Sequence, residues 1–271
     1  MPEGDTVYRL ARRLDAALAG STLTSTRFRV PQLATTDLSG YRVEEVASRG
    51  KHLLIHLSIN ESRLPSRLCL RSHLMMEGRW DLYQPGERWK RPAHLARLVL
   101  ETQDVSAVAF EVQQLKLVPA EEENELVGHL GPDLLGTDWD ADRAARNLLN
   151  EPHRPIGTAL LDQRLLAGIG NIYRCEILFL TRLHPLTPCG QVPDMDAVVA
   201  MSYRLLQANK DRARRVTTGT ARTRDPFWVY GRTAKPCLRC ATPVKLMALS
   251  DEFGAHERDC YYCPACQKLE E

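Results

Sequence analysis

Two cysteine pairs near the C-terminus, Cys237/Cys240 and Cys263/Cys266, constrain this chain more than any other feature. Each is a Cys-x-x-Cys, and the unit that carries them, residues 233–271, is too small to be held by an apolar core alone. Four thiolates in two close pairs can grip opposite edges of a tetrahedron while the intervening segment returns as a β-hairpin. Zn2+ suits that donor set, because it accepts four sulfurs and has no d-electron preference for another geometry. With every position filled by protein, such an ion is structural and does not activate water. Cys260 could replace one ligand, but three residues before Cys263 it reads better as hairpin filling. Cys69, Cys175 and Cys189 read as core or incidental thiols. Eight cysteines without an export signal favour reduced, metal-holding thiols over a secreted disulfide framework.

The remainder of the 271 residues changes period twice. Residues 6–19 place Val7, Leu10, Leu14 and Leu18 on one face, which predicts an amphipathic helix ending before Gly20. Residues 41–46, 52–59, 67–70 and 97–100 then read as short strands, with one or two more over 107–118. After Pro119 the pattern becomes helical, over 126–127, 139–149, 156–166, 172–180 and 195–208, with prolines between the runs. The expectation is an α+β multidomain protein. Residues 1–120 form an antiparallel β-rich domain with an N-terminal helix, residues 121–232 a helical domain, and residues 233–271 a four-cysteine zinc finger.

Within the helical part, Gly168-Ile169-Gly170 separates two apolar runs. Glycines allow tight turns and bring backbone N–H groups close to a ligand. Asn171 can cap the following helix or donate from its amide, and a helix start attracts phosphate. No strand precedes this turn, so it does not fit a dinucleotide fingerprint. The net charge is only +2, yet nine Lys/Arg against two Asp lie between residues 204 and 235. For nucleic-acid binding that placement matters more than the total. Nothing approaches the length of a membrane span and the N-terminus lacks a signal-peptide pattern, so a cytoplasmic monomer is expected.

Several of these segments together resemble the Fpg/Nei family, the bacterial formamidopyrimidine-DNA glycosylase and endonuclease VIII group. They are Met1-Pro2-Glu3-Gly4, Gly50-Lys51-His52-Leu53, Ser72-His73 through Gly78-Arg79-Trp80, residues 166–173, Val229-Tyr230-Gly231-Arg232, and the run from Tyr261 to Gln267. The resemblance spans nearly the whole chain. It implies a sandwich-like two-layer β domain, a helix-two-turn-helix and a zinc-finger hairpin. It also implies a bifunctional glycosylase/AP lyase that acts on oxidised bases in damaged DNA. Pro2, freed by loss of Met1, would be the nucleophile, Glu3 the acidic catalytic residue and Lys51 the β-domain lysine near the lesion's phosphate and sugar. Asn171 and Arg258 would be phosphate clamps, and Met76 would fill the void left by an extruded base.

The chemistry suits these residue types. A terminal secondary amine has a reference pKa near 7.7–8.0, so a useful share is neutral around neutral pH. Its attack on the base-bearing sugar carbon leads to an iminium, which acidifies the adjacent sugar hydrogens and lets phosphate leave. The sequence departs from the family in three places. The stretch between Cys240 and Cys263 holds 22 residues, longer than usual. Residues 109–116 lack the Arg-Phe wedge of the formamidopyrimidine branch, and Glu77 stands where an aromatic can follow the void-filling residue. The missing wedge favours the endonuclease VIII branch and oxidised pyrimidines.

Overall fold

The structure, a computed structural model, describes residues 2–60, 65–219, 225–250 and 257–269. Two compact units emerge: Thr6–His129 together with the first two residues, and Leu130–Glu271 together with Glu3–Asp5.

The first unit is a β-sandwich. Helix α1 (Gly4–Leu18) buries Val7, Ala11, Leu14 and Leu18 on one stripe, the spacing expected of a helix with a single apolar face. Asp15 accepts a 2.8 Å bond from the Val46 N–H, which ties the helix to the sheet behind it. Gly20, at φ +81°, ends the helix in a conformation that costs other residues energy.

One antiparallel sheet has the order β1 (Ser25–Phe28), β6 (Ala96–Glu101), β7 (Ser106–Phe110), β5 (Arg79–Tyr83). The other runs β2 (Arg42–Arg49), β3 (His52–Ser58), β4 (Arg67–His73), β8 (Gln114–Pro119). Leu53, Ile55 and Leu57 of β3 share one core with Leu98, Leu100, Ala107 and Ala109 of the facing sheet and with the helix stripe. Strand β7 is buried along its whole length because both its faces are covered. Ala107 and Ala109 point into the main core, while Val108 and Phe110 pack with Tyr83, Val99 and Trp89 on the other side.

Strands β1 and β5 are absent from the sequence reading. Each has four or five residues with charged side chains on the solvent face, too short for alternation to stand out.

The second unit is helical, with α3 (Ala141–Leu149), α4 (Ile156–Ala159), α5 (Asn171–Leu180) and α6 (Met195–Asn209) around one apolar core. A five-residue helix, α2 (Glu123–Val127), belongs to the β unit. The expected helix over 156–166 stops at Ala159. Beyond it, tertiary partners take the backbone groups: Gln163 O accepts from Gly131 N, Leu165 O from the Asn147 amide, and Ala167 donates to Pro132 O. Buried Asp162 accepts from Arg154 and Arg164 and fixes the turn. Apolar periodicity alone could not separate this packed turn from a longer helix. The chain ends in the hairpin β9 (Lys245–Ser250) and β10 (Glu257–Tyr262), which packs beside α5 and shares the unit's core.

Candidate functional site

In the β unit, Lys51 occupies the two-residue turn between β2 and β3. Gly50 takes φ +57° at the first turn position, so the lysine stands at the hairpin tip, partly exposed. Beside it lie two imidazoles, His52 and His73, with ring centroids 4.8 Å apart. Burial, then His73 and Arg71, depress the His52 pKa from 6.5 to about 3. Burial, then Lys51 and Arg71, take His73 to about 4. Both rings are therefore neutral at physiological pH, and the cations beside them are Lys51 and Arg71.

An acid sensitivity follows. A histidine whose folded-state pKa lies below its unfolded value contributes full stability above about pH 6.5, and loses it as pH falls toward the folded value. Between pH 6.5 and 4 protonation costs the fold on the order of 3 kcal/mol for each ring. Thermal melts across that range should show the decline, and His73→Gln should flatten part of it. An equally steep profile in the variant would remove these rings as its cause.

After β4 the chain turns through Met75 and Met76. Gly78 is obligatory there, since a Cβ would lie 2.4 Å from Leu74 O. Met75 adopts φ +53°, and the two side chains are 43% and 57% exposed, so neither fills the sandwich core. The connection from β7 to β8 holds only Glu111, Val112 and Gln113, with Val112 buried and Glu111 paired to Arg91 at 3.1 Å.

In the helical unit, Glu3 is fully buried and docks on the first turn of α5. Its carboxylate accepts from Gly170 N (3.0 Å), Ile172 N (2.8 Å) and Tyr173 N (3.3 Å). These are the amides that a helix start leaves without intrahelical partners, and the helix dipole adds attraction for the negative charge. The N-cap position is Gly170, and Asn171 is the first helical residue, so the cap comes from Glu3 and not from Asn171. A Cβ on Gly170 would lie 2.5 Å from the Glu3 side chain, which explains the glycine. Gly4 donates to Gly168 O at 2.9 Å, and its Cβ would meet the Gly168 Cα at 2.9 Å. The chain's start is thus fastened to the Gly-Ile-Gly turn. Pro2, immediately before it, is partly exposed.

A guanidinium completes this arrangement. Arg215 forks onto buried Asp5, through Nε at 2.9 Å and through Nη2, and lies 3.6 Å from Glu3. It also covers the Tyr173 ring at 4.7 Å. Burial alone would lower its pKa, but Glu3 and Asp5 more than offset that and the net shift is upward.

Asn171 and Arg258 approach each other where the hairpin meets α5. The Asn171 amide donates to Asp259 O at 2.9 Å, and partly buried Arg258 neighbours that residue on β10. Fully buried Arg174 holds the junction, donating to Asn171 Oδ1, to Asp259 O at 2.9 Å and to Arg258 O at 3.4 Å. Cys237, Cys240, Cys263 and Cys266 converge at the hairpin base, with all four sulfurs within 4.8 Å of one another. Two of their separations are 3.5 Å, close to the spacing of about 3.8 Å implied by four zinc–sulfur bonds of 2.3 Å in a tetrahedron. None of the four is in a disulfide, and the set fits one structural Zn2+. Cys260 stands apart, buried 4.0 Å from Cys175.

A family model described as the formamidopyrimidine-DNA glycosylase N-terminal domain matches residues 1–114, and one described as the H2TH domain of the same enzyme matches residues 130–212. The chain belongs to the Fpg/Nei family. Among its relatives is a probable endonuclease 8 2 of Streptomyces coelicolor, 49% identical over 98% of this chain and 94% of that protein. Another is the DNA-(apurinic or apyrimidinic site) lyase Nei2 of Mycolicibacterium smegmatis, 43% identical over 98% and 99%. These identities place the chain with the endonuclease VIII branch. In fold it matches the Lactococcus lactis Fpg solved with abasic-site DNA, at TM-score 0.81 and 22% identity over 99% of this chain and 100% of that one.

In this Fpg/Nei chain, four polar residues around the site escaped the sequence reading: Asp5, Arg174, Glu176 and Arg215. Glu176 is buried and accepts from Thr217 Oγ1, Trp228 N (2.8 Å), Val229 N (3.0 Å) and Tyr230 N (2.9 Å). Burial raises its pKa and these donors pull it back in part. The available signal was two charged residues, Arg174 and Glu176, inside an otherwise apolar helical run. Among the described residues, no helix is long and apolar enough to cross a membrane.

Proposed function

We propose that this chain is a bifunctional DNA glycosylase/AP lyase that excises oxidised bases, pyrimidines foremost, and then cuts the strand by β,δ-elimination. The observation that carries the reading is Glu3, buried on the start of α5 by three backbone N–H groups directly after Pro2. Anchoring that carboxylate fixes the position of the neighbouring ring nitrogen, which a free chain end would lack.

Once Met1 is removed, the Pro2 amine attacks the sugar carbon that bears the damaged base, and the base leaves with the bonding electrons. Ring opening gives an iminium between Pro2 and the sugar. Loss of a proton from the adjacent carbon then expels the 3′ phosphate, and a second elimination expels the 5′ phosphate. Glu3 relays protons to the sugar-ring oxygen, its orientation already set by the donors it accepts. Lys51, at its hairpin tip, offsets phosphate charge as the sugar opens.

Asn171 and Arg258 hold phosphates. One amide hydrogen of Asn171 engages Asp259 O and the other is available to DNA, while the Arg258 guanidinium offers a planar fork. Met76 enters the gap left by the extruded base, and its exposure and unbranched thioether suit that task. The very short β7–β8 connection leaves little chain for an Arg-Phe wedge, which supports the endonuclease VIII-like preference for pyrimidines. The protein acts as a monomer in the cytoplasm, on the nucleoid when bound to DNA.

Borohydride trapping tests this directly, with mass spectrometry of the mature N-terminus. Processed protein should become covalently linked to abasic-site duplex on reduction, the adduct mapping to the peptide that begins at Pro2. Pro2→Gly should trap far less. A duplex carrying an oxidised thymine should be cut faster than one carrying 8-oxoguanine, and retention on DNA should weaken as salt rises. No adduct, or an adduct on another residue, rejects the mechanism.

A further inference from the structure

The β unit carries a second convergence of metal-type donors, separate from the four zinc-finger cysteines. His56 of β3 and Cys69 of β4 stand directly opposite each other in the antiparallel register. Side chains of such a pair share one face of the sheet, with Cβ atoms about 5 Å apart. Glu123, the first residue of α2, comes over that face from the end of β8. His56 Nε2 and Glu123 Oε2 are 2.6 Å apart, and one donor atom from each of the three residues lies within 4.8 Å of the others.

We propose that His56, Cys69 and Glu123 form a second divalent-metal site, suited to Zn2+ or a similarly borderline-soft ion. One imidazole, one thiolate and one carboxylate make a mixed N/S/O set of the kind zinc accepts, with three protein ligands and a position left for solvent. The burial pattern agrees: Cys69 is fully enclosed, while the side chains of His56 and Glu123 are 26% and 31% exposed, so the set faces outward on one side.

An outer partner is also present. Glu45 Oε2 lies 3.9 Å from the His56 Nδ1, on the ring nitrogen opposite Glu123, and a small closure would bring it to hydrogen-bond distance, where a carboxylate orients the imidazole toward an ion. The surrounding surface cleft is lined by Glu44, Glu45, Glu121 and Glu123 with Arg67, while Arg42 pairs with Glu44 and Arg71 acts on the Cys69 thiol, so carboxylates outnumber the cations around the site. Coordination releases the thiol proton to solvent. The bound ion ties the start of α2 to the sheet through Glu123.

The test uses the full chain with its zinc-finger ion in place, titrated with Zn2+ alone and followed by calorimetry and by metal content after gel filtration. Wild type should take up one further equivalent at micromolar free Zn2+. Co2+ in its place should show a thiolate-to-metal charge-transfer band. Cys69→Ala, His56→Gln and Glu123→Gln should each weaken that uptake at least about tenfold, while still carrying one tightly held zinc. Cys69→Ala should also abolish the charge-transfer band.

Circular dichroism checks that each variant is folded, and Glu123→Gln, at the surface, keeps the test valid if either strand variant misfolds. The proposal is overturned if wild type takes up no second equivalent, or if folded variants take it up as wild type does.

Discussion

Arg215→Ala should lower the stability of the helical unit by about 3–5 kcal/mol and remove strand cleavage with it. The magnitude comes from what the substitution leaves behind. Asp5 and Glu3 are fully buried, and Arg215 is the cation placed on both. Removing one partner of a buried ion pair leaves the other charge buried with less compensation, which costs more than the pair's net contribution. Glu3 retains its three amide donors, whereas Asp5 loses the fork that faces it.

Urea unfolding of the full chain, followed by tryptophan fluorescence, measures the loss. Arg215→Lys should fall between, because an ammonium keeps the charge but not the two-pronged geometry. The double variant Asp5→Asn/Arg215→Met should recover part of the stability by removing one stranded charge. A stability change in Arg215→Ala of under about 1 kcal/mol, the range of exposed ion pairs, would contradict this account.

Removing the structural zinc should have the second large effect. Isolated zinc fingers draw about 10–16 kcal/mol of apparent folding energy from their ion at neutral pH. Here the four sulfurs hold the base of the hairpin, and buried Gln267 adds bonds to Cys263 N at 2.8 Å and Leu183 O at 2.9 Å. Without the ion, β9 and β10 lose their closure. Asn171 and Arg174 then lose the Asp259 carbonyl that both engage.

Cys263→Ser, or treatment with a thiol reagent and chelator, should release one zinc per chain and melt the hairpin. Affinity for abasic-site DNA should drop by two orders of magnitude or more, on the order of 3 kcal/mol. The β-sandwich should keep its own melting transition. A Cys263→Ser protein that binds DNA as wild type does would show that the hairpin is dispensable for recognition.

What was legible in the sequence depended on distance along the chain. The two Cys-x-x-Cys pairs are local signals, and the spacing named the ligands that the structure brings together. The α1 stripe and most sandwich strands were equally local. The N-terminal Pro-Glu was singled out only through resemblance, because nothing in its own spacing distinguishes it from the start of an ordinary helix.

Asp5 and Arg215 meet across 210 residues, and no periodicity encodes such a pairing. Arg174 is indistinguishable from a surface cation until its carbonyl partners on the hairpin are known. The expected helix over 156–166 failed for a related reason. Its apolar pattern reports burial, which a compact turn satisfies as well as a helix does.

Glu176 has a consequence for how the helical unit comes apart. One interior carboxylate clasps Thr217 on one side and the amides of residues 228–230 on the other. Residue 217 and residues 228–230 are thereby held to a single interior anchor. One substitution, Glu176→Gln, should therefore loosen both ends together, and a thermal melt of the variant should show the loss in the helical unit.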